Sequence, residues 1–212
     1  MLNKLETKQV ISILKKMYPD AGPELIFSNP FELLIAVILS AQCTDVRVNK
    51  VTKELFNKYP KPEDYIGVSI EEIGEIIHSC GFYKTKSEYI INTCKILIDK
   101  YKGNVPSNKE DLLSLPGVGN KTANVVMSTV FNVPAIAVDT HVFRVSQRIG
   151  LAKGNSVDEI EKKLCHIIEK EEWTNAHHLI IFHGRRICKA RKPLCMKCKL
   201  KDICEYNEKN LL

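Results

Sequence analysis

Two apolar helical runs flank a turn that few backbones can follow. Leu112, Leu113 and Leu115 end one run, Pro116-Gly117-Val118-Gly119 turns the chain, and Ala123, Val126 and Val130 continue at helical spacing. The pattern predicts a helix, a tight turn and a second helix. Glycines at 117 and 119 permit positive φ and close backbone approach, so the first amides of the second helix can face an anion such as a phosphate. Lys121 falls in the first turn of that helix, where the helix dipole opposes a positive charge. A lysine so placed is either a plain surface charge or one positioned to lose its proton.

Helix punctuation recurs along the rest of the chain. A first helix is expected over 6–18, with Val10, Ile11, Leu14 and Met17 on one face and Pro19 closing it. Asn29-Pro30-Phe31-Glu32 combines an N-cap, a proline at the first helical position and the glutamate of a capping box. It opens a run that is apolar nearly all round to Leu39, the pattern of a central buried helix. The polar cluster Ser40-Ala41-Gln42-Cys43-Thr44-Asp45 ends that rod, and the next helix turns Val48, Val51, Leu55 and Phe56 inward before Pro60. Capping boxes are expected at Ser69 with Glu72, Ser107 with Glu110 and Ser156 with Glu159, and C-terminal stops at Gly81 and Gly103. Only 135–138 alternates weakly in the manner of a strand, and a helical run over 140–149 follows it. The expected fold class is all-α, with no internal repeat and no low-complexity linker.

A chain of 212 residues can bury the core of one large domain or two small ones. Its net charge of +6 favours acidic partners, nucleic acid first, against the plainer alternative of a solvated basic surface. The first twenty residues lack the apolar core of a signal peptide, and the apolar run 31–41 is too short to span a bilayer. A cytoplasmic protein with no membrane segment is expected.

Four of the eight cysteines crowd the C-terminal region as Cys188, six residues, Cys195, two residues, Cys198, five residues, Cys204. Four thiolates so close in the chain can surround one metal centre, and their spacing admits both zinc and a [4Fe-4S] cluster. Disulfides suit a chain without an export signal less well. Arg185, Arg186, Lys189, Arg191, Lys192, Lys197, Lys199 and Lys201 surround them, with no acid until Asp202. This is a solvated face around a thiolate-rich site, or a loop between Cys188 and Cys195 that presents Lys189, Arg191 and Lys192 to a phosphate backbone.

The hairpin LPGVGNKTA, the segment VDTHVFRV over 138–145 and the cysteine spacing stand in one order with LSAQCTD over 39–45 and GFYKTK over 81–86. Together they resemble the endonuclease III family, base-excision repair DNA glycosylases of the helix-hairpin-helix superfamily, over essentially the whole chain. The resemblance implies a two-lobed all-α protein with its active site and DNA groove between the lobes. One lobe, 22–133, would be a six-helix barrel containing the hairpin; the other, 1–21 plus 134–212, would carry a [4Fe-4S] cluster bound by Cys188, Cys195, Cys198 and Cys204.

By the same resemblance, Lys121 is the nucleophile that attacks the sugar C1′ and leaves a Schiff base open to β-elimination, and Asp139 is the catalytic acid. Gln42 would fill the space left by an extruded base, Phe82 would act as the opposing wedge, and Gly117 and Gly119 would hold the backbone. Phe82 departs from the leucine common in the family, which leaves core packing as its competing role. His141 reads as a structural hydrogen-bonding residue, and His177, His178 and His183 are not spaced as a second metal site. The implied partner is double-stranded DNA containing damaged pyrimidines or abasic sites, bound by a monomer at the bacterial nucleoid. The rivals are an adenine glycosylase, which normally lacks the lysine and carries a further C-terminal domain, a thymine-mismatch glycosylase, and a non-catalytic DNA-binding module. Lys121, with only eight residues after Cys204, favours endonuclease III among them.

Overall fold

The computed structural model describes residues 1–206 and Glu208, and residues 207 and 209–212 of the expected 134–212 segment lie outside the described residues. Among the described residues there are ten α-helices, joined by loops and short 3-10 turns, and no strand. The chain forms two compact units, Pro23–Val133 and Met1–Gly22 with the chain from Pro134 on.

In the continuous unit, α2 (Pro30–Ser40) is the central rod, with Phe31 and every residue from Leu33 to Leu39 buried. Helices α3 (Asp45–Lys58), α5 (Tyr83–Tyr101) and α7 (Asn120–Val130) pack around it, which is why its sequence has no polar face. Helix α4 (Ile70–Ile77) packs on α3 and α5, and the short α6 (Lys109–Leu113) packs on α7. In the other unit, α1 (Lys4–Met17) and α8 (Thr140–Ile149) both pack on α10 (Trp173–Arg186), and α9 (Val157–Ile167) packs on α8. Val10, Leu14, Val142, Val145, Leu164 and Ile180 share that core. Gly184 lets α8 and α10 approach: a Cβ there would lie 3.0 Å from Nδ1 of His141 and from Val145.

The caps differ in detail from their sequence patterns. Helix α1 starts two residues before the expected position, capped by Asn3, with Glu6 returning the bond to complete a capping box. At α2, the Asn29 side chain accepts from the Glu32 amide, but the Glu32 carboxylate accepts from Ser28 instead of closing on Asn29. Ser69 and Ser156 cap their helices as expected, yet Glu72 is drawn to Lys58 and Tyr59, and Glu159 accepts from Asn155. The Ser107 assignment is corrected. Asn108, an equally good cap one residue later, accepts from the Asp111 amide at 2.9 Å and starts α6 there.

Candidate functional site

The turn between α6 and α7 is pinned from inside. Leu112, Leu115 and Val118 are buried, the Val118 amide donates to the Leu115 carbonyl, and the Thr93 hydroxyl of α5 donates to the Pro116 carbonyl at 3.1 Å. Gly117 has φ 75°, and a Cβ at this position would lie 2.7 Å from the Tyr89 ring. Gly119 does not share that need for positive φ: it is extended, at φ −98° and ψ −179°, and a Cβ there would meet nothing within 4 Å. Its lack of a side chain has a different effect, leaving the start of α7 with no side-chain cap. Lys121 is exposed at the second residue of that helix.

Gln42, Phe82 and Gly117 come together around one surface pocket, which Ala41, Lys86 and Tyr89 also line. Gln42 has φ 54° and Phe82 has φ 48°, left-handed conformations that cost a side-chain-bearing residue roughly 1–2 kcal/mol each. Phe82 is 67% exposed, so core packing does not explain it.

Sequence spacing does not mark Lys86 as a site residue. It is 4% exposed, and its Nζ donates to the carbonyls of Leu39 at 2.9 Å, Ala41 at 2.8 Å and Cys80 at 2.9 Å. Burial lowers the pKa of its ammonium group, with Cys80 and Cys43 opposing the shift. A signal was available: Lys86 begins the stripe Ile90, Cys94 and Leu97 on the buried face of α5, where a lysine requires partners.

Asp139 lies in the discontinuous unit and is the N-cap of α8, its Oδ1 accepting from the Val142 amide at 2.7 Å. The same helix grips the first cysteine of the cluster. Arg144 donates from Nε and Nη2 to the Cys188 carbonyl, and from Nη2 to the Gly184 carbonyl at 3.1 Å and toward Nδ1 of His141. One turn further on, Arg148 donates to the carbonyls of Lys189 at 2.7 Å and Ala190 at 3.1 Å, and its Nη1 lies 3.8 Å from Sγ of Cys188. These bonds hold a loop on which Lys189, Arg191 and Lys192 are all exposed.

Cys188, Cys195, Cys198 and Cys204 line a single pocket together with apolar Ile149, Ile187, Pro193 and Leu200. Among the described residues, no three His, Cys, Asp or Glu side chains close on a point where one metal ion would bind them all. His183 belongs to this site, although its sequence spacing carries no sign of it. Its Nδ1 is 2.9 Å from the Tyr18 hydroxyl and its Nε2 is 3.6 Å from Sγ of Cys198. Burial pushes its pKa down to about 4, and a neutral imidazole that accepts from Tyr18 at Nδ1 keeps its N–H on the side of the sulfur.

A family model for the HhH-GPD superfamily of base excision DNA repair proteins matches residues 35–170. Endonuclease III of Bacillus subtilis is 50% identical over 99% of this chain and 96% of its own length, and that of Escherichia coli K12 is 46% identical over 98% and 99%. A solved trapped endonuclease III–DNA covalent intermediate aligns at TM-score 0.93 with 55% identity, covering 97% of both chains. A thermostable thymine-DNA glycosylase aligns at 0.82 with 26% identity, covering 95% of this chain and 96% of its own. The chain belongs to the endonuclease III family, whose members usually bind an iron-sulfur cluster.

Capping and charge at Asp139 can be separated by substitution. Asp139→Asn keeps an oxygen that accepts from Val142 and should unfold in urea at the wild-type midpoint, whereas Asp139→Ala should lose about 0.5–2 kcal/mol. Any catalytic loss shared by both variants then belongs to the carboxylate charge.

Proposed function

We infer that this protein is a bifunctional DNA glycosylase and AP lyase that removes oxidised pyrimidines from double-stranded DNA and cleaves the strand at abasic sites. The observation that carries this reading is an exposed lysine at the uncapped start of α7, in a chain whose backbone matches a trapped endonuclease III–DNA covalent intermediate. A covalent intermediate needs a nucleophile, and an amine forms one that hydrolysis by water alone does not.

In the proposed mechanism, unprotonated Nζ of Lys121 attacks C1′ of the damaged nucleotide, and the bond to the base breaks with its electron pair leaving on the base. Loss of the amine proton and ring opening give the Schiff base. Removal of a C2′ proton then expels the 3′ phosphate by β-elimination. Asp139, whose carboxylate is oriented by the Val142 amide, stabilises positive charge developing on the sugar and takes up the proton that the amine releases.

The DNA contacts follow from exposure and charge. The bare start of α7, opened by Gly117 and Gly119, accepts a backbone phosphate. Gln42 and Phe82 enter the duplex, the first to fill the vacated position and the second as an aromatic wedge. Lys189, Arg191 and Lys192 contact phosphates with release of counterions. The unit Pro23–Val133 is read as the six-helix barrel that carries the nucleophile, and the other unit as the cluster domain. No described helix is long and apolar enough to cross a membrane, and DNA binding would hold the protein at the nucleoid.

Cys188, Cys195, Cys198 and Cys204 are read as the ligands of a [4Fe-4S] cluster in place of zinc, a reading that the family supports. Zinc draws all its sulfurs to about 2.3 Å from one ion, whereas the cysteines of a cluster each hold a different iron and stand around a larger body. All four thiols line one pocket, and the family usually binds an iron-sulfur cluster. When bound, the cluster supplies a rigid cross-link among the four cysteines and takes no part in breaking the glycosidic bond. Arg148 and His183 direct N–H groups toward Cys188 and Cys198, so both thiolates have donors from the protein.

Lys121→Gln should abolish the adduct trapped by borohydride on DNA with an oxidised pyrimidine while retaining DNA binding; an adduct formed by this variant would exclude Lys121 as the nucleophile. Protein purified without air should show the broad visible iron-sulfur absorption and about four iron atoms per chain. A colourless, zinc-loaded protein would overturn the cluster reading.

A further inference from the structure

We propose that Lys86 is a positioning residue for base extrusion, its buried ammonium fixing the separation of the turn that carries Gln42 and the turn that carries Phe82. The inference rests on reading those two side chains as the ones that enter DNA. Lys86 lies in the first turn of α5, and each of its three N–H donors finds a carbonyl, those of Leu39, Ala41 and Cys80. Leu39 and Ala41 close α2, and Cys80 ends the 3-10 turn His78–Cys80. Carbonyls at helix ends lack intrahelical donors and carry partial negative charge, so two helix ends converge on one cation.

Gln42 follows Ala41 directly, and Phe82 lies two residues beyond Cys80. The Lys86 amide also donates to the Phe82 carbonyl at 3.0 Å, so both the main chain and the side chain of Lys86 act on the turn that presents the wedge. Left-handed backbone at Gln42 and Phe82 persists only where the surroundings over-determine it. A buried charge is costly, and a residue of similar volume without donors would fill the space while orphaning three carbonyls. The bonds span 47, 45 and 6 residues of chain, so they join the two turns instead of stabilising either one alone. Filler and wedge must enter the stack together, and their separation is what Lys86 sets.

The test compares holoenzyme carrying Lys86→Met, Lys86→Arg, Gln42→Ala or Phe82→Ala with wild type on two substrates. One is duplex DNA with an oxidised pyrimidine beside 2-aminopurine, whose fluorescence reports unstacking; the other is single-stranded DNA with an abasic site, where no base has to be extruded. Lys86→Met should slow both the fluorescence step and single-turnover excision in the duplex by about a hundredfold, the scale of a misplaced catalytic geometry. It should leave abasic cleavage in the single strand unchanged. Lys86→Arg, which keeps charge and donors, should recover part of the duplex rate, and Gln42→Ala should add little in the Lys86→Met background. Equal loss on both substrates, or an unaltered fluorescence step, would overturn the inference. Normal duplex excision by Gln42→Ala and Phe82→Ala would instead reject the reading of those side chains as DNA probes, an outcome distinct from the effect of Lys86 itself.

Discussion

Gly117 carries two constraints at once: its φ of 75° lies where side chains are disfavoured, and a Cβ would come within 2.7 Å of the Tyr89 ring. Tyr89 lines the same pocket as Gln42 and Phe82, so the turn before the proposed nucleophile and the side chains proposed to open the duplex share one wall. A residue other than glycine would have to displace that ring. The direction in which α7 leaves the turn, and with it the placement of Lys121, rests on this close approach together with the bonds to the Leu115 and Pro116 carbonyls.

The chemistry proposed for the protein sits at helix ends. The core rods, α2 above all, are apolar and carry none of it. Lys121 stands in the first turn of α7, Asp139 caps α8, and the last carbonyls of α2 receive Lys86. Helix termini have polar groups that folding alone leaves unpartnered, and here those groups orient side chains. In the other unit, Arg144 and Arg148 extend the arrangement from α8 to the backbone around Cys188, fixing a loop whose outer face is cationic.

What could be read in the sequence was local. The turn at 116–119, Lys121 in the first turn of its helix, Asp139 before α8 and the apolar rod α2 depend on residues a few positions apart, and periodicity and capping chemistry register them. Neighbouring candidates blurred the details: Asn108 displaced Ser107 as a cap, and of the two glycines that permit positive φ, Gly117 uses it and Gly119 is extended. Lys86 and His183 escaped because their partners are distant in the chain. Lys86 reaches back 47 residues to Leu39, and His183 meets Tyr18 across 165. Buried polar groups of this kind are recognised by what surrounds them, which a pattern of spacings does not record. Phe82 is the converse case, an aromatic residue whose composition points inward and whose 67% exposure points to a partner.

The central claim is that one amine, at the start of α7, becomes covalently joined to the sugar. Its most direct test is peptide mapping by mass spectrometry of the borohydride-reduced adduct formed on DNA with an oxidised pyrimidine. The sugar remnant is expected on Nζ of Lys121 and on no other residue. A remnant on another lysine or on the chain's amino terminus would contradict it.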